Sequence, residues 1–471
     1  HMDKNFTGCR WKSSAGTFTI EEITRPERGT KIFFKLKDEH KEFAEVERIK
    51  EIITKYSNFA DFPIYLGKDK INKVEALWRK KASELKENEV NEFYKFIAND
   101  YEEPLAHIPV SVEGSVVSFK ALLFIPKTAP FDLMRKDDLK TINLYSNKIL
   151  IQSNCREILP EYLRFIRGVV DTIDLPLNVS RELTQASPLM TRIKNILISK
   201  IFVFLEDLFK KDREKYLVFY RNFGPLFKTG LNSDFENKDK ITDLLCFVSS
   251  RTKENEMVTL KEYAMRVKPD QKEIYYISGD SRDSIERNPN LEYFRKNDIE
   301  VLFLIDPVDI FTVPSIGEFD TKKIKSIEKA DIELKAEDKL EKPDSNLSKS
   351  LIDLFKKTLK DKVEDVVESK RLVDSAVTLV SGKNALDPQM EKMMKIMTRD
   401  NSYVSKKTLE VNMAHPLLKN LSQIYLANTH DVRLEKCILQ LYESALFIDG
   451  SLPPNSDFVK RMTDLMVDAT R

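Results

Sequence analysis

Tyr162-Leu163-Arg164-Phe165-Ile166-Arg167-Gly168-Val169-Val170-Asp171, then after three residues Leu175-Pro176-Leu177-Asn178-Val179-Ser180-Arg181-Glu182, is the stretch on which the reading of this chain turns. No simple helical or strand period generates it, so it carries more information than the amphipathic patterns around it. Its first half reads as a helix from about Pro160 to Arg167, and a second helix is expected from Arg181 to Leu208. Upstream, strands are expected at Val116 to Ser118, Ala121 to Ile125 and Lys148 to Gln152. The run Ile149-Leu150-Ile151, with Leu144-Tyr145 before it, is typical of interior strands covered on both faces, which makes the class α/β.

Working outward, Lys210 to Lys228 reads as a charged helical link, and a second α/β unit begins near Asn237. Its strands Ile274 to Ile277 and Glu300 to Ile305 flank a helix at Pro289 to Lys296, and strand-helix-strand order suggests parallel pairing. Lys, Glu and Asp dominate from Thr321 to Asn346, where Pro343-Asp344-Ser345-Asn346 supplies a break and a helix cap, and a domain boundary is placed there. Beyond it come an amphipathic helix (Leu347, Leu351, Leu354, Phe355, Leu359), strands at Val363 to Val367 and Ala376 to Val380, and a helical end. Toward the start, strands Thr17 to Ile20 and Thr30 to Leu36 suggest a hairpin across Pro26 and Gly29. A helix from Glu42 to Tyr56 and a strand at Phe62 to Leu66 follow. These first seventy residues form too small a core to stand alone and read as the tail of a domain.

Composition narrows the function. The 471 residues hold 77 Lys plus Arg against 76 Asp plus Glu, a net charge of +1 that supplies no field for holding a nucleic-acid backbone. Only 12 residues are glycine, well below the usual ~7%, and neither a P-loop nor GxGxxG is present. Five scattered histidines and four scattered cysteines contain no HExxH and no CxxC, so no metal site is expected. No stretch has the apolar length of a membrane span. A reducing compartment fits the cysteines, which read as passive small hydrophobes. His1-Met2 resembles a cloning remnant, so the natural start need not be visible.

Three constellations stand out. Asn178, Arg181 and Gln185 are spaced three and four, so a helix starting near Ser180 would present Arg181 and Gln185 on one face. The plain alternative is a helix start capped by Asn178 or Ser180, with Arg181 an ordinary first-turn charge. Leu386, Met390, Met393, Met394 and Met397 repeat at helical spacing. Flexible thioethers there suit either a core stripe or a surface that accepts many shapes. Leu434, Ile438, Leu441 and Ala445, then Phe458, Met462 and Leu465, form apolar stripes of the kind that zip against a partner helix. Arg164 and Arg167 read as solvated or locally paired helix charges.

Together with Tyr56-Ser57-Asn58-Phe59, Leu77-Trp78, Glu92-Phe93-Tyr94 and Phe124-Ile125-Pro126-Lys127-Thr128-Ala129-Pro130-Phe131, the opening motif closely resembles the heat-shock-protein-90 family of ATP-dependent molecular chaperones. The likeness runs essentially end to end and is greatest to the bacterial branch, with the mitochondrial paralogue next. It implies an α/β and α+β multidomain chain in three parts. Residues 1–70 would be the remnant of the nucleotide-binding domain, 71–325 a middle domain, and 326–471 a dimerisation domain. The ATP and Mg pocket would lie upstream of Cys9, which would account for the scarcity of glycine, and the chain alone would be inactive. The short link from Leu66 to Trp78 and the end at Thr470-Arg471 lack the charged insert and acidic tail of eukaryotic cytosolic members.

The resemblance makes Arg181 the middle-domain arginine that reaches the ATP γ-phosphate, supported by Asn178 and Gln185. Guanidinium suits that task because it stays charged and presents a rigid fork of donors. Leu386 and the four methionines would contact clients, as would Phe311, although Ile310 and Pro314 depart from the bacterial pattern beside it. The implied partners are a second copy of the chain, partly folded client proteins and other chaperones, in the bacterial cytoplasm or, alternatively, the mitochondrial matrix. A competing reading is a protein-interaction scaffold with no nucleotide cycle. A DNA-acting relative with a similar ATPase is disfavoured by the neutral charge and by the lack of a catalytic Tyr or metal-carboxylate signature.

Overall fold

The computed structural model describes residues 7–14, 16–25, 27–72, 75–114, 116–130, 133, 141–174, 188–334, 344–382, 385–398, 405–451 and 455–470. The chain folds as two compact units, residues 1–76 with 147–150, and the remainder.

In the first unit, strand Thr7–Ser14 pairs antiparallel with Thr17–Thr24, from Thr7 opposite Thr24 to Ser14 opposite Thr17. The hairpin partner is therefore the upstream strand, not Thr30 to Leu36, which has no regular structure and leaves Ile32, Phe33 and Phe34 exposed. A tight turn with Gly16 at φ +86° closes the ladder with little loop entropy, and the unalternating Ile-Phe-Phe run offers no competing pleat. The helix expected from Glu42 begins at Val46 and ends at Tyr56, after a 3-10 turn at Asp38–Ala44. The strand expected from Phe62 shrinks to Tyr65–Leu66, because Gly67, at φ +64°, turns the chain back onto Asp69–Lys70.

The second unit opens with helix Glu87–Ala98 and a sheet ordered Ala106–Glu113, Ser118–Ile125, Arg167–Thr172, Ile142–Ser146, and the strand expected from Lys148 is Ile149–Gln152. Val116 to Ser118 and Ala121 to Ile125 are not separate strands: pairing is continuous from Ser118 to Ile125. The opening motif is also not a helix. A single 3-10 turn, Glu161–Leu163, leads into the fully buried strand Arg167–Thr172. The reason lies at Gly168, at φ +145°, where a Cβ would collide with the Leu122 carbonyl oxygen. Only glycine lets the neighbouring strand approach so closely, and the β-branched Val169-Val170 then continue the pleat.

Helix Pro188–Lys211 packs beside helix Arg213–Lys228, which Asp212 caps by accepting from Lys215 N at 3.0 Å. Phe165 of the motif stacks on Phe223 with ring centroids 4.7 Å apart, so the motif is a bearing surface for that helix. The six-stranded sheet runs Val258–Thr259, Cys246–Ser249, Val301–Leu304, Glu273–Ser278, Lys322–Ser326, Glu318–Phe319. The expected parallel pairing of Glu273–Ser278 with Val301–Leu304 is present. The helix expected from Pro289 divides into a 3-10 turn, Pro289–Leu291, and helix Glu292–Lys296. The charged stretch from Thr321 is not all linker. Its first residues form strand Lys322–Ser326, followed by buried Ile327, because lysine stems tolerate an edge-adjacent strand while the apolar residues turn inward.

Helix Ser345–Leu359 is capped by Asp344, which accepts from Asn346 N at 2.8 Å. Its apolar face covers a three-stranded sheet, Val366–Glu368, Thr408–Val411, Val377–Val380, whose middle strand has only four residues and little periodic signature. Helices Pro416–Ala427, Val432–Ile448 and Ser456–Ala469 complete the unit. The class is therefore α/β and α+β multidomain, as expected.

Candidate functional site

Asn178, Arg181 and Gln185 lie outside the described residues, as do the first seven positions of the helix expected from Arg181. The approach to them is well fixed. Asp171, on the strand Arg167–Thr172, accepts from Trp78 Nε1 at 2.8 Å and from Arg79 at 2.6 and 2.9 Å. Thr172 Oγ1 donates to the Ser118 carbonyl at 2.8 Å, and Asp174 accepts from Ser118 N at 2.6 Å. Motif residues that looked like solvated charges thus anchor the chain. Arg167 is buried and donates to the Arg164 carbonyl at 2.9 Å.

Phe311 lies on helix Asp309–Ile316 and is 40% exposed, while its carbonyl accepts from Asn232 Nδ2 at 3.1 Å. Beneath it, Lys228 is buried with its Nζ 2.6 Å from Asp306 and 2.7 Å from Asp309. Burial opposes the charge on Lys228, but the two carboxylates together hold its pKa above the ordinary value. Burial pushes Asp309 up to about 6 against the pull of the same lysine. Nothing in the sequence pattern pointed to this triad, since its members are 78 and 81 residues apart along the chain, as the numbering of Lys228, Asp306 and Asp309 gives by subtraction.

Helix Pro388–Thr398 carries the methionines. Met390, Met393 and Met394 are half-buried and Leu386 is exposed, so the helix displays thioether surface without giving it up wholly to a core. Met397 is in the helix, but its side chain lies outside the described ones. Asp387 fixes the helix entry by accepting from Gln389 N at 3.0 Å and from Ser278 Oγ at 2.6 Å. Glu391, which the spacing places on a solvated polar side, is instead buried and accepts from the Ser405 hydroxyl and backbone N. Charge alone misassigned it because a carboxylate with such donors can be desolvated.

The terminal stripes are split. Leu434, Ile438 and Ala445 are buried in a core shared with Leu351, Phe355 and Leu409, and Leu441 packs at its margin. An apolar stripe cannot distinguish a partner helix from the chain's own sheet, and here its innermost residues are already covered. Phe458, Met462 and Leu465 are half-buried, with Phe458 stacked on Phe447 at 6.5 Å between centroids. Met466, which ends the second stripe, is exposed, as are Val432, Phe447, Ile448, Val459 and Val467, which the spacing did not single out.

The described residues do not fit an ATP and Mg site. Their glycines at positive φ occur singly, at turns and at the Gly168 strand crossing, not as a phosphate cradle. Among the described residues, no group of three or more His, Cys, Asp or Glu could hold a metal ion. No described helix is long and apolar enough to cross a membrane.

Residues 67–470 match the family model described as Hsp90 protein. The chain is 55% identical over 469 residues to "Chaperone protein HtpG" of Chlorobium luteolum, covering 98% of this chain and 75% of that protein. It is 52% identical over 477 residues to the protein of the same name from Chlorobaculum tepidum, covering 100% and 76%. It is 37% identical over 495 residues to that of Geobacter metallireducens, covering 98% and 76%.

Proposed function

Because the chain belongs to the Hsp90 family, within its bacterial HtpG group, we propose that it forms the middle and C-terminal parts of an ATP-dependent chaperone that remodels partly folded proteins as a dimeric clamp. The observation that carries the reading is a family match spanning 67–470, together with the unbroken motif from Tyr162 to Glu182. In this reading residues 1–70 complete a nucleotide-binding domain, 71–325 form the middle domain and 326–471 the dimerisation domain. ATP and Mg would be held by a part of the protein outside this chain. Arg181, supported by Asn178 and Gln185, would add positive charge against the γ-phosphate.

Leu386 and the half-buried methionines would offer a deformable client surface, with Phe311 as a second contact. The outward faces of the two terminal helices would meet a second copy, and other chaperones would act as further partners. The bacterial cytoplasm is the proposed location; each relative compared above is bacterial.

The test is kinetic. In the full-length protein, Arg181→Ala should lower ATP turnover at least about tenfold while leaving nucleotide affinity nearly unchanged, because a contact made mainly in the closed state stabilises the transition state selectively. Equal loss of binding and turnover would overturn the assignment. The present chain alone should give no stoichiometric ATP binding by isothermal titration.

A further inference from the structure

Helix Pro388–Thr398 is held at its first turn by a buried ion network that the function proposed above leaves unused. Lys407, which leads into the middle strand of the three-stranded sheet, is buried, as is Glu391. Its Nζ lies 2.7 and 2.8 Å from the two carboxylate oxygens of Asp449 and 3.9 Å from Glu391 Oε2. Glu391 stands in the first turn of the methionine helix and also accepts from the Ser405 backbone N at 3.3 Å and from the Ser405 hydroxyl. Asp449 caps the C-terminal end of helix Val432–Ile448, directly after the exposed Phe447 and Ile448. One ammonium therefore joins the start of one helix to the end of another, 58 residues apart by the numbering of Glu391 and Asp449.

Electrostatics make that ammonium hard to replace. A carboxylate is favoured near a helix N-terminus and disfavoured at a C-terminus, so Asp449 needs a cation where Glu391 alone would not. Burial pushes the Asp387 carboxyl, just ahead of the methionine helix, above its ordinary range, against the pull of its bonds to Ser278 and Gln389 N and of the charges on Lys329 and Lys407. Both acidic anchors of the methionine helix thus answer to Lys407, and its loss would strand carboxylates where water cannot solvate them. The Lys407 carbonyl accepts from Glu364 N at 2.9 Å, so the ammonium is held from the sheet side.

We propose that Lys407 is a positioning residue for the methionine helix. It transmits the fixed end of helix Val432–Ile448, through Asp449, to Glu391, and so sets the pose in which Met393 and Met394 stand half-buried. What this does for client contact rests on the reading of that helix given above; the strut itself does not.

Amide deuterium exchange of residues 388–398, read by mass spectrometry on the chain as it stands, tests the strut. Asp449→Asn is expected to speed exchange there about tenfold, Lys407→Met at least as much, and the double variant no more than Lys407→Met alone, because both substitutions break one path. Strand Val301–Leu304, outside the network, should exchange as in the parent. Asp449→Asn keeps the shape of the side chain and carries the test where Lys407→Met fails to fold. Unchanged exchange in residues 388–398, effects that multiply in the double variant, or equal speeding of Val301–Leu304 would overturn the proposal. Binding of reduced, carboxymethylated lactalbumin, followed by fluorescence anisotropy, should weaken about tenfold in Asp449→Asn, since a helix already set in its pose binds without first being ordered. Faster exchange with unchanged affinity would leave the strut in place and overturn the client role of the helix.

Discussion

Arg371 donates from Nε to Glu410 Oε1 at 3.1 Å although it is only 1% exposed, and this pair joins two sheets. Glu410 belongs to the middle strand of the three-stranded sheet. The other arm of the guanidinium reaches the Ile327 carbonyl, Asn290 Oδ1 at 3.3 Å and the Lys329 carbonyl at 3.0 Å, all beside the six-stranded sheet. From the opposite side, Glu292 accepts from the backbone N of Val373, Asp374 and Ser375 at 2.6, 2.9 and 3.1 Å. A buried charge with a full set of partners fixes orientation more than it adds stability, because desolvation offsets most of the attraction.

Removing one member should therefore be expensive. Arg371→Met is expected to lower the unfolding free energy by about 3–5 kcal/mol, the usual consequence of stranding a buried charge. Arg371→Lys should recover little, since one ammonium cannot span four acceptors set around a planar fork. Denaturant unfolding of both variants checks this, and a loss below about 1 kcal/mol for Arg371→Met would mean that water replaces the guanidinium.

The Lys228 triad predicts a pH dependence of defined sign. Asp309 binds its proton more tightly folded, with a pKa of about 6, than unfolded, at 3.8. Its contribution to stability is thus full below about 3.8 and lost as pH rises through 6. Between pH 7 and pH 4.5 the parent should gain about 2 kcal/mol of stability relative to Asp309→Asn, the part of the full shift, at 1.36 kcal/mol per pKa unit, that this window spans. Paired unfolding curves at the two pH values measure the difference; a relative loss by the parent would mean that Lys228 dominates and keeps the carboxylate ionised.

What the sequence revealed and what it concealed follow from how far each signal reaches. Period and composition placed the parallel pairing of Glu273–Ser278 with Val301–Leu304 and the capped helix after Asp344, because both depend on neighbours in the chain. The same reasoning made Tyr162 to Arg167 a helix, since the clash that requires Gly168 comes from Leu122, 46 residues away by the numbering. Glu391 looked solvated for the same reason: its partner, Ser405, becomes a neighbour only after folding, whereas Arg167 is buried by the strand it joins and donates to the Arg164 carbonyl three residues away. The methionine stripe was legible as a stripe, but its half-buried state depends on what packs against it.

Dimer formation should separate the two halves of the terminal stripes. Ile438→Ala removes a fully buried side chain and should cost about 2–5 kcal/mol whatever the oligomeric state. Phe447→Glu with Val459→Glu alters exposed positions, so the melting transition should move little while sedimentation shifts from dimer to monomer. A variant that stays dimeric would place the interface elsewhere on the chain.

The methionine helix offers the sharpest contrast between packing and contact. Met393 and Met394 are half-buried, so truncating both should cost clearly less than the about 2–5 kcal/mol expected for each wholly buried methionine. Asp387, bonded to Ser278 and Gln389 N, should still hold the helix start. Met393→Ser with Met394→Ser is therefore expected to melt near the parent yet suppress aggregation of a model client less well, because serine neither deforms nor offers a polarizable surface. A large fall in melting temperature with unchanged protection of the client would assign both residues to packing and remove the helix from the client surface.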